Sequence, residues 1–181
     1  MKTQSGLSLV ELLVTISIAT ILLAIAVPNY QRFMEHGRIS SAASNLIGAL
    51  NFARSEAIRR GVAVSLRNAS GTKQWESGWT MFVDNDGDGI QDAGDNALRV
   101  GAALAGGLTL RSTTSYADSI TYRPSGRSTQ NGYFASCQDN TLTNARTVIV
   151  NATGRIRAGL DADNNQIPEL DDATNLTTCT P

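Results

Sequence analysis

The 181-residue sequence predicts an α+β fold, in which one long N-terminal helix packs on an antiparallel β-sheet domain. A pattern with helical spacing, first apolar throughout and then amphipathic, extends to about residue 60. Short apolar runs separated by turn residues follow it. The 16 glycines and an aromatic content of only 6% favour a β-rich, loop-rich domain over a helical bundle.

The N-terminal segment from Leu7 to Val27 carries a single charged residue, Glu11. As a helix rising about 1.5 Å per residue, this segment would span roughly 30 Å, the thickness of a bilayer core. Pro28 follows and is expected to kink or break the helix.

Three interpretations of this segment compete. A plain transmembrane anchor explains the length but not Glu11, because a carboxylate costs about 2.5–3.5 kcal/mol at the bilayer centre. A secretory signal peptide is favoured by Lys2 and by the A-x-A form of residues 24–26. Against it, the usual apolar region has only about 7–15 residues and contains no acid.

The third interpretation covers every feature of the segment. Gly6, a following apolar residue, Glu11 at the fifth place after the glycine and Pro28 resemble the prepilin signal of type IV pilins and type II secretion pseudopilins. This resemblance implies that a prepilin peptidase removes residues 1–6 as a leader and methylates the new amine of Leu7. It also implies that Glu11 contacts the N-terminal amine of an adjacent subunit in a filament. The family usually has phenylalanine where this chain has Leu7.

The segment after Pro28 is predicted to continue as an amphipathic helix over 29–60. Gly61, which follows Arg59 and Arg60, is typical of a helix end with basic residues in its last turn. His36 is interpreted as a solvated or packed residue, not a ligand. The periodic residues are Tyr30, Phe33, Ile39, Ala43, Leu46, Leu50, Ala53 and Ala57.

The chain from Gly61 onward is predicted to form a β-rich globular domain over 61–181. Residues 7–28 are predicted to be the half of the N-terminal helix that spans the membrane and drives assembly. Its polar tail after Leu160 is expected to be irregular. Cys137 and Cys179, the only two cysteines, are predicted to form a disulfide outside the cytoplasm that ties this tail back. The predicted strands are VAVSL (62–66), WTMFV (79–83), ALRV (97–100), LTLR (108–111), SITY (119–122), GYFAS (132–136) and TVIVN (147–151).

Three stretches narrow the resemblance to the GspH/FimT family of minor pilins and pseudopilins. They are ALNFARSEAIRRG, SITYRPSGR and VIVNATGRIRAG, and the similarity spans most of residues 1–160. The resemblance implies a type IV pilin-like fold and a single pass of the inner membrane with a periplasmic C-terminal domain. It also implies later exposure on a pilus at the cell surface. The implied partners are other pilins, the prepilin peptidase and the inner membrane.

The sequence contains no pattern of residues typical of catalysis. It has one histidine, no base near Cys137 in sequence, and no phosphate-binding loop, dinucleotide fingerprint or H-E-x-x-H pattern. We therefore predict neither an enzyme nor a cofactor.

The loop DNDGDGIQDAGD (84–95) matches part of a calcium-loop template. It departs from the template because its twelfth residue is Asp instead of Glu and because strands, not helices, flank it. We interpret it as a solvated turn, with Ca²⁺ binding as the alternative. The candidate ligands are Asp84, Asp86, Asp88, Asp92 and Asp95.

The tetrapeptide Gly154-Arg155-Ile156-Arg157 is the candidate binding motif. In an extended segment both guanidinium groups project from one face, roughly 6–7 Å apart, which suits phosphate oxygens. The tetrapeptide resembles the G-R-x-R motif of FimT-type minor pilins that bind DNA during natural transformation. Arg123, Arg127 and Arg146 would extend the patch if the sheet brings them together. The alternative is that these arginines lie at the surface or in a subunit interface.

The net charge of −1 conceals an uneven distribution along the chain. Residues 97–160 contain seven arginines against Asp118 and Asp139, and acidic stretches at 84–95 and 161–172 offset them. Binding to double-stranded DNA should be phosphate-driven, sequence-independent and steeply salt-dependent. Because the net charge is nearly neutral, only a local patch could bind DNA, and the acidic tail would oppose it. The arginines are Arg99, Arg111, Arg123, Arg127, Arg146, Arg155 and Arg157.

These observations predict a minor pilin of a type IV pilus that contributes to DNA binding and uptake in natural transformation. Two alternatives share its assembly features. One is a type II secretion pseudopilin, and the other is a structural pilus-initiation subunit that binds no DNA.

Overall fold

The structure, a computed structural model, describes residues 8–171 and 174–181. The predicted processing positions Gly6 and Leu7 therefore lie outside the described residues. The chain divides after Gly37 into two compact units, and helix α1, Leu9–Arg60, contributes residues to both.

Helix α1 begins and ends at residues that favour helix termini. The Glu11 N–H donates to Ser8 Oγ over 3.2 Å, and a serine followed three residues later by glutamate has the spacing of a capping box. The acid also lies in the first turn, where the helix dipole favours negative charge. The helix ends at Arg60, before Gly61, as predicted. It continues through Pro28, so the proline does not break it.

In the N-terminal unit the apolar side chains of α1 are exposed. Residues 9–27 form a helical stretch whose length and composition suffice to cross a membrane. A stretch of this kind fits a membrane anchor. Its exposed large apolar residues are Leu9, Val10, Leu12, Leu13, Val14, Ile16, Ile18, Ile21, Leu22, Leu23, Ile25 and Val27.

The second unit contains two four-stranded antiparallel sheets. One sheet has the strand order β3-β2-β1-β5 and the other has the order β4-β6-β7-β8. The strands are β1 (Ala63–Asn68), β2 (Trp79–Asp84), β3 (Ala97–Gly101), β4 (Leu108–Ser112), β5 (Ser119–Tyr122), β6 (Gly132–Gln138), β7 (Thr141–Val150) and β8 (Ile156–Ala158).

All seven predicted strands are present, and two features of the sheets were not predicted. Strand β7 begins at Thr141 instead of at residue 147, because the polar stretch 141–146 pairs with β6 despite lacking an apolar pattern. Strand β8 has only three residues, too few to give a sequence signal. The polar stretch 141–146 is thus more regular than its composition indicates.

The C-terminal half of α1 forms the centre of the core. Leu46, Ala49, Leu50, Ala53 and Ala57 are at most 1% exposed. They belong to one apolar cluster with residues from both sheets. The predicted packing of the helix on an antiparallel sheet domain is therefore confirmed, with two sheets in place of one.

The chain after β8 returns across the second sheet as an irregular segment, which we call the C-terminal strap (residues 159–171 and 174–181). Cys179 forms a disulfide with Cys137 of β6, as predicted. Leu176 is 1% exposed and packs in a small apolar cluster with both cysteines. Near the end of the strap, Lys73 Nζ donates to the carbonyl oxygen of Pro181 over 2.7 Å. The strap is thus held by covalent, apolar and polar contacts.

Glu56 is the one acidic residue of the buried face of α1, well beyond the apolar stretch 9–27. Its carboxylate accepts hydrogen bonds from Arg59 Nε over 3.0 Å and from Arg60 Nε over 2.6 Å. The hydrogen bonds from Arg59, and then those from Arg60, lower the pKa of Glu56 from 4.5 to about 2. The folded state therefore favours the ionised form of this carboxylate.

We predict that Glu56 makes the stability of the fold depend on pH in the acid range. Because its pKa is depressed on folding, its contribution is complete above about pH 4.5 and is lost as the pH falls through about 2. Glu56→Gln should lower the melting temperature at neutral pH, and the difference from wild type should shrink towards pH 2. Thermal unfolding, monitored by circular dichroism, measures this difference in melting temperature. A difference that stays constant over this range would contradict the prediction.

Candidate functional site

The G-R-x-R motif lies at the turn between β7 and β8. The Gly154 N–H donates to Asn151 O over 2.7 Å, and the Asn151 N–H donates to Arg155 O over 3.0 Å. Ile156 packs against the main core. Because successive side chains of an extended segment point to opposite faces, we expect Arg155 and Arg157 to lie on the face opposite Ile156.

A second turn, residues 123–127, lies directly against the first. The Gly126 N–H donates to Arg123 O over 2.8 Å, and the Arg123 N–H donates to Arg127 O over 2.9 Å. A Cβ atom on Gly154 would overlap the carbonyl oxygen of Gly126, and the φ of Gly154 is +78°. Only glycine at 154 permits this close approach, so the glycine of the motif positions the arginine that follows it.

Helix α1 contributes a further arginine to the two turns. Arg54 Nε donates to the carbonyl oxygen of Gly126 over 2.9 Å. Its two Nη groups make no hydrogen bond within the described part of the chain. No sequence pattern indicates Arg54, because it belongs to no motif and lies 72 residues from Gly126 in the sequence. We call this set the basic junction: Arg54, Arg123, Arg127 and Arg155.

No arginine of the basic junction forms an ion pair within the described residues. The ion pairs among residues 8–171 and 174–181 join Arg59, Arg60, Arg67 and Arg111 to acids, and none includes a member of the junction. Arg123, Arg127 and Arg155 are exposed and Arg54 is half-buried. The junction is therefore a concentrated positive patch on a protein of nearly neutral charge.

Two of the predicted arginines have other surroundings. Arg157 is half-buried, and its Nη2 donates to Leu170 O over 2.6 Å, so it holds the C-terminal strap. Arg146 lies on β7, five residues from Asn151, where it pairs with Ser136 of β6. At about 3.3 Å per residue that places it roughly 16 Å from the turn, outside the basic junction. The sequence could not indicate either position, because both depend on long-range pairing.

Comparison with known proteins identifies the family. Residues 42–154 match the family model described as type II transport protein GspH, and residues 1–27 match the prokaryotic N-terminal methylation motif. The chain belongs to the GspH family. The family consists of structural pilins and pseudopilins, not of enzymes.

Relatives and solved structures agree with this assignment. Two Pseudomonas aeruginosa proteins named "Fimbrial protein" are each 31% identical to this GspH-family chain over 109 residues, 58% of this chain and 70% of theirs. The P. aeruginosa type IV minor pilin FimU matches with a TM-score of 0.61 and 24% identity over 81% of this chain and 98% of its own. The likeness to FimU shows that the fold is pilin-like.

The acidic loop of this GspH-family chain is organised by its own hydrogen bonds. Oxygens of Asp84, Asp86 and Asp88 lie within 4.8 Å of one another. Buried Asp84 accepts hydrogen bonds from Ser65 Oγ over 2.6 Å and from the N–H of Gly89 over 2.9 Å. These protein donors stabilise the loop as a turn.

The other two aspartates predicted for this loop are arranged separately. Asp95 accepts hydrogen bonds from the backbone N–H groups of Asn85 and Asp92. A second acidic group, which sequence analysis did not select, comprises Asp161, Asp163 and Glu169 of the strap. Glu169 accepts hydrogen bonds from the N–H groups of residues 162 and 163, so this group is also held by backbone donors.

We predict that Gly154→Ala destabilises the domain and displaces Arg155. A left-handed non-glycine residue costs about 1–2 kcal/mol, and the overlap with Gly126 adds an overpacking cost of about 1–3 kcal/mol. Gly71→Ala is the matched control, because Gly71 has a φ of +65° but no atom within 4 Å of the added Cβ. Chemical denaturation should show a larger loss for Gly154→Ala. Equal losses would mean that the two turns do not require close contact.

Proposed function

We propose that this GspH-family chain is a minor pilin, a subunit of a type IV pilus that is anchored in the inner membrane before assembly. The observation that carries the proposal is the exposed apolar half of α1 joined to an N-terminal methylation motif. An apolar helical face of this size needs a partner, which is lipid before assembly and the helices of other subunits afterwards. The fimbrial relatives support the pilus over the alternative, a type II secretion pseudopilin.

The proposed maturation follows from the same segment. Prepilin peptidase cleaves after Gly6 and methylates the amine of Leu7, and the second unit lies in the periplasm until assembly carries it to the cell surface. Glu11 then accepts the N-terminal amine of an adjacent subunit. Because Glu11 also lies in the first turn of α1, its charge has a second role at the positive end of its own helix.

We predict that Glu11→Gln impairs entry into filaments and leaves membrane insertion intact. Glutamine keeps the spacing of a capping box but removes the charge that a neighbouring amine requires. Immunoblots of sheared filaments and of membrane fractions measure the two steps, with Glu35→Gln as a control on the same helix. Normal incorporation of Glu11→Gln, with impaired incorporation of Glu11→Ala, would assign Glu11 to helix capping instead.

We also propose that the basic junction binds the phosphate backbone of double-stranded DNA and thereby contributes to uptake in natural transformation. Four arginines from three separate parts of the chain lie on or against the two touching turns, and none of them forms an ion pair among the described residues. Guanidinium groups contact phosphate without reading bases, so binding should not depend on sequence. Within the motif, Arg155 contacts the phosphate, whereas Arg157 acts mainly by holding the strap.

The arrangement explains how a protein with a net charge of −1 could bind DNA. A patch with about four phosphate contacts gives a salt dependence of roughly −3 to −4 in the slope of log K against log salt. The alternative, a purely structural subunit, would have the same fold but would use these arginines for packing between subunits. Binding measurements separate the two functions.

We predict that Arg155→Ala weakens binding of a short DNA duplex by the detergent-solubilised full chain. One exposed contact worth about 1 kcal/mol corresponds to roughly a fivefold loss, and the salt slope should decrease by about 1. Fluorescence anisotropy of the labelled duplex at several salt concentrations measures both quantities. Arg146→Ala, an exposed arginine outside the basic junction, is the control and should bind as wild type does.

Two results would contradict this proposal. Wild-type protein that does not bind DNA at low salt would favour the purely structural subunit. Equal losses for Arg155→Ala and Arg146→Ala would show that DNA contacts the protein without preference for the basic junction.

A further inference from the structure

A groove lies between α1 and strand β3 in the second unit. Its volume is about 310 Å³, and its walls expose polar and apolar surface in equal shares. A Cβ atom on Gly101 would overlap the indole ring of Trp79, so the glycine lets this ring lie across the strand. The lining side chains used below are Leu46, Trp75, Trp79, Arg99, Leu104 and Leu110.

Strand β3 is an edge strand, and no hydrogen bond from residues 8–171 or 174–181 reaches its outer backbone groups. In an antiparallel pair, the backbone groups of successive residues point to opposite sides. The Val83 N–H donates to Asn96 O over 2.9 Å, so the backbone groups of Val83 point towards the chain of β3. Met81 lies two residues earlier on β2, so its backbone groups point to the same side. Its partner on β3 is Arg99. The next residue, Val100, therefore directs its N–H and C=O away from the sheet.

Other long sheet edges of this unit are covered by the chain itself. The Thr129 N–H donates to Thr121 O over 3.0 Å beside β5, and the Ser112 N–H donates to Lys73 O over 3.3 Å beside β4. Strand β8 has only three residues. Within the described ranges, β3 is thus the edge that combines length with free backbone groups, and a groove runs alongside it.

Arg99 supplies a charge to this groove. It lies opposite Met81, where the register of β2 and β3 is irregular, and it is one of the residues that line the groove. Arg99 is exposed and makes no hydrogen bond or ion pair with any residue that the structure describes. An unpaired guanidinium beside aromatic and aliphatic walls suits an apolar side chain with a carboxylate close to it.

We propose that β3 and this groove bind an extended segment of a neighbouring filament subunit, added as a further antiparallel or parallel strand. The segment pairs with the N–H and C=O of Val100, places an apolar side chain in the groove, and directs a carboxylate to Arg99. This is the strand-addition mode of peptide recognition, in which backbone bonds give affinity and a pocket gives specificity. The proposal rests on the proposed filament role for the identity of its partner.

The test is photo-crosslinking of the full chain in the cells that assemble it. A benzophenone amino acid replaces Val100, which is 69% exposed and is one of the residues that line the groove, so the label lies beside any segment bound there. The same label at Thr143, an exposed position on β7, is the control. Mass spectrometry of filaments identifies the crosslinked peptide and its subunit.

The expected result is one adduct from position 100, formed with an acidic, extended segment of another pilin-like subunit. In the labelled chain, Arg99→Glu should reduce its yield about tenfold or more, because like charges across an interface repel, and Arg99→Lys should retain it. An adduct unaffected by Arg99→Glu, an equal adduct from position 143, or no protein adduct in assembled filaments would overturn the inference. Absence of the chain from filaments would instead refute the proposed function.

Discussion

The packing of small residues along α1 is the constraint on which the rest of the second unit depends. Ala49, Ala53 and Ala57 are completely buried and belong to one apolar cluster with residues of both sheets. This packing holds Arg54, on the adjoining face, against the carbonyl oxygen of Gly126. Larger side chains at these positions would push the helix away from the sheets. They would therefore disrupt the core and also the contact of Arg54 with the turn of the basic junction.

Patterns that are local in sequence were sufficient to predict the main architecture. The helix from Leu9 to Arg60, the disulfide and the seven strands with clear apolar runs follow from periodicity, turn residues and cysteine count. Strand β8 and the first part of β7 could not be predicted this way, because pairing with neighbours, not their own composition, makes them strands. The division into two sheets likewise depends on long-range register.

Only part of the candidate site could be predicted, because most of its contacts join residues that are distant in sequence. A motif indicated Arg155, but the motif does not show that Arg157 donates a hydrogen bond to Leu170 of the strap. It also does not show that Arg54 of α1 donates a hydrogen bond to Gly126. The glycine of the motif has a physical purpose that appears only in three dimensions, namely contact with Gly126. A positive patch is thus a property of the fold more than of the tetrapeptide that led to it.

The open edge of β3 affects how a subunit that is not assembled in a filament associates with other copies. Unpaired strand edges next to apolar surface are templates for association with other copies of the same chain. The irregular register opposite Met81 and the charge of Arg99 are the features that limit such self-association. The concentration at which the protein stays monomeric therefore depends on the same few residues, so solubility and recognition are not independent properties of this edge.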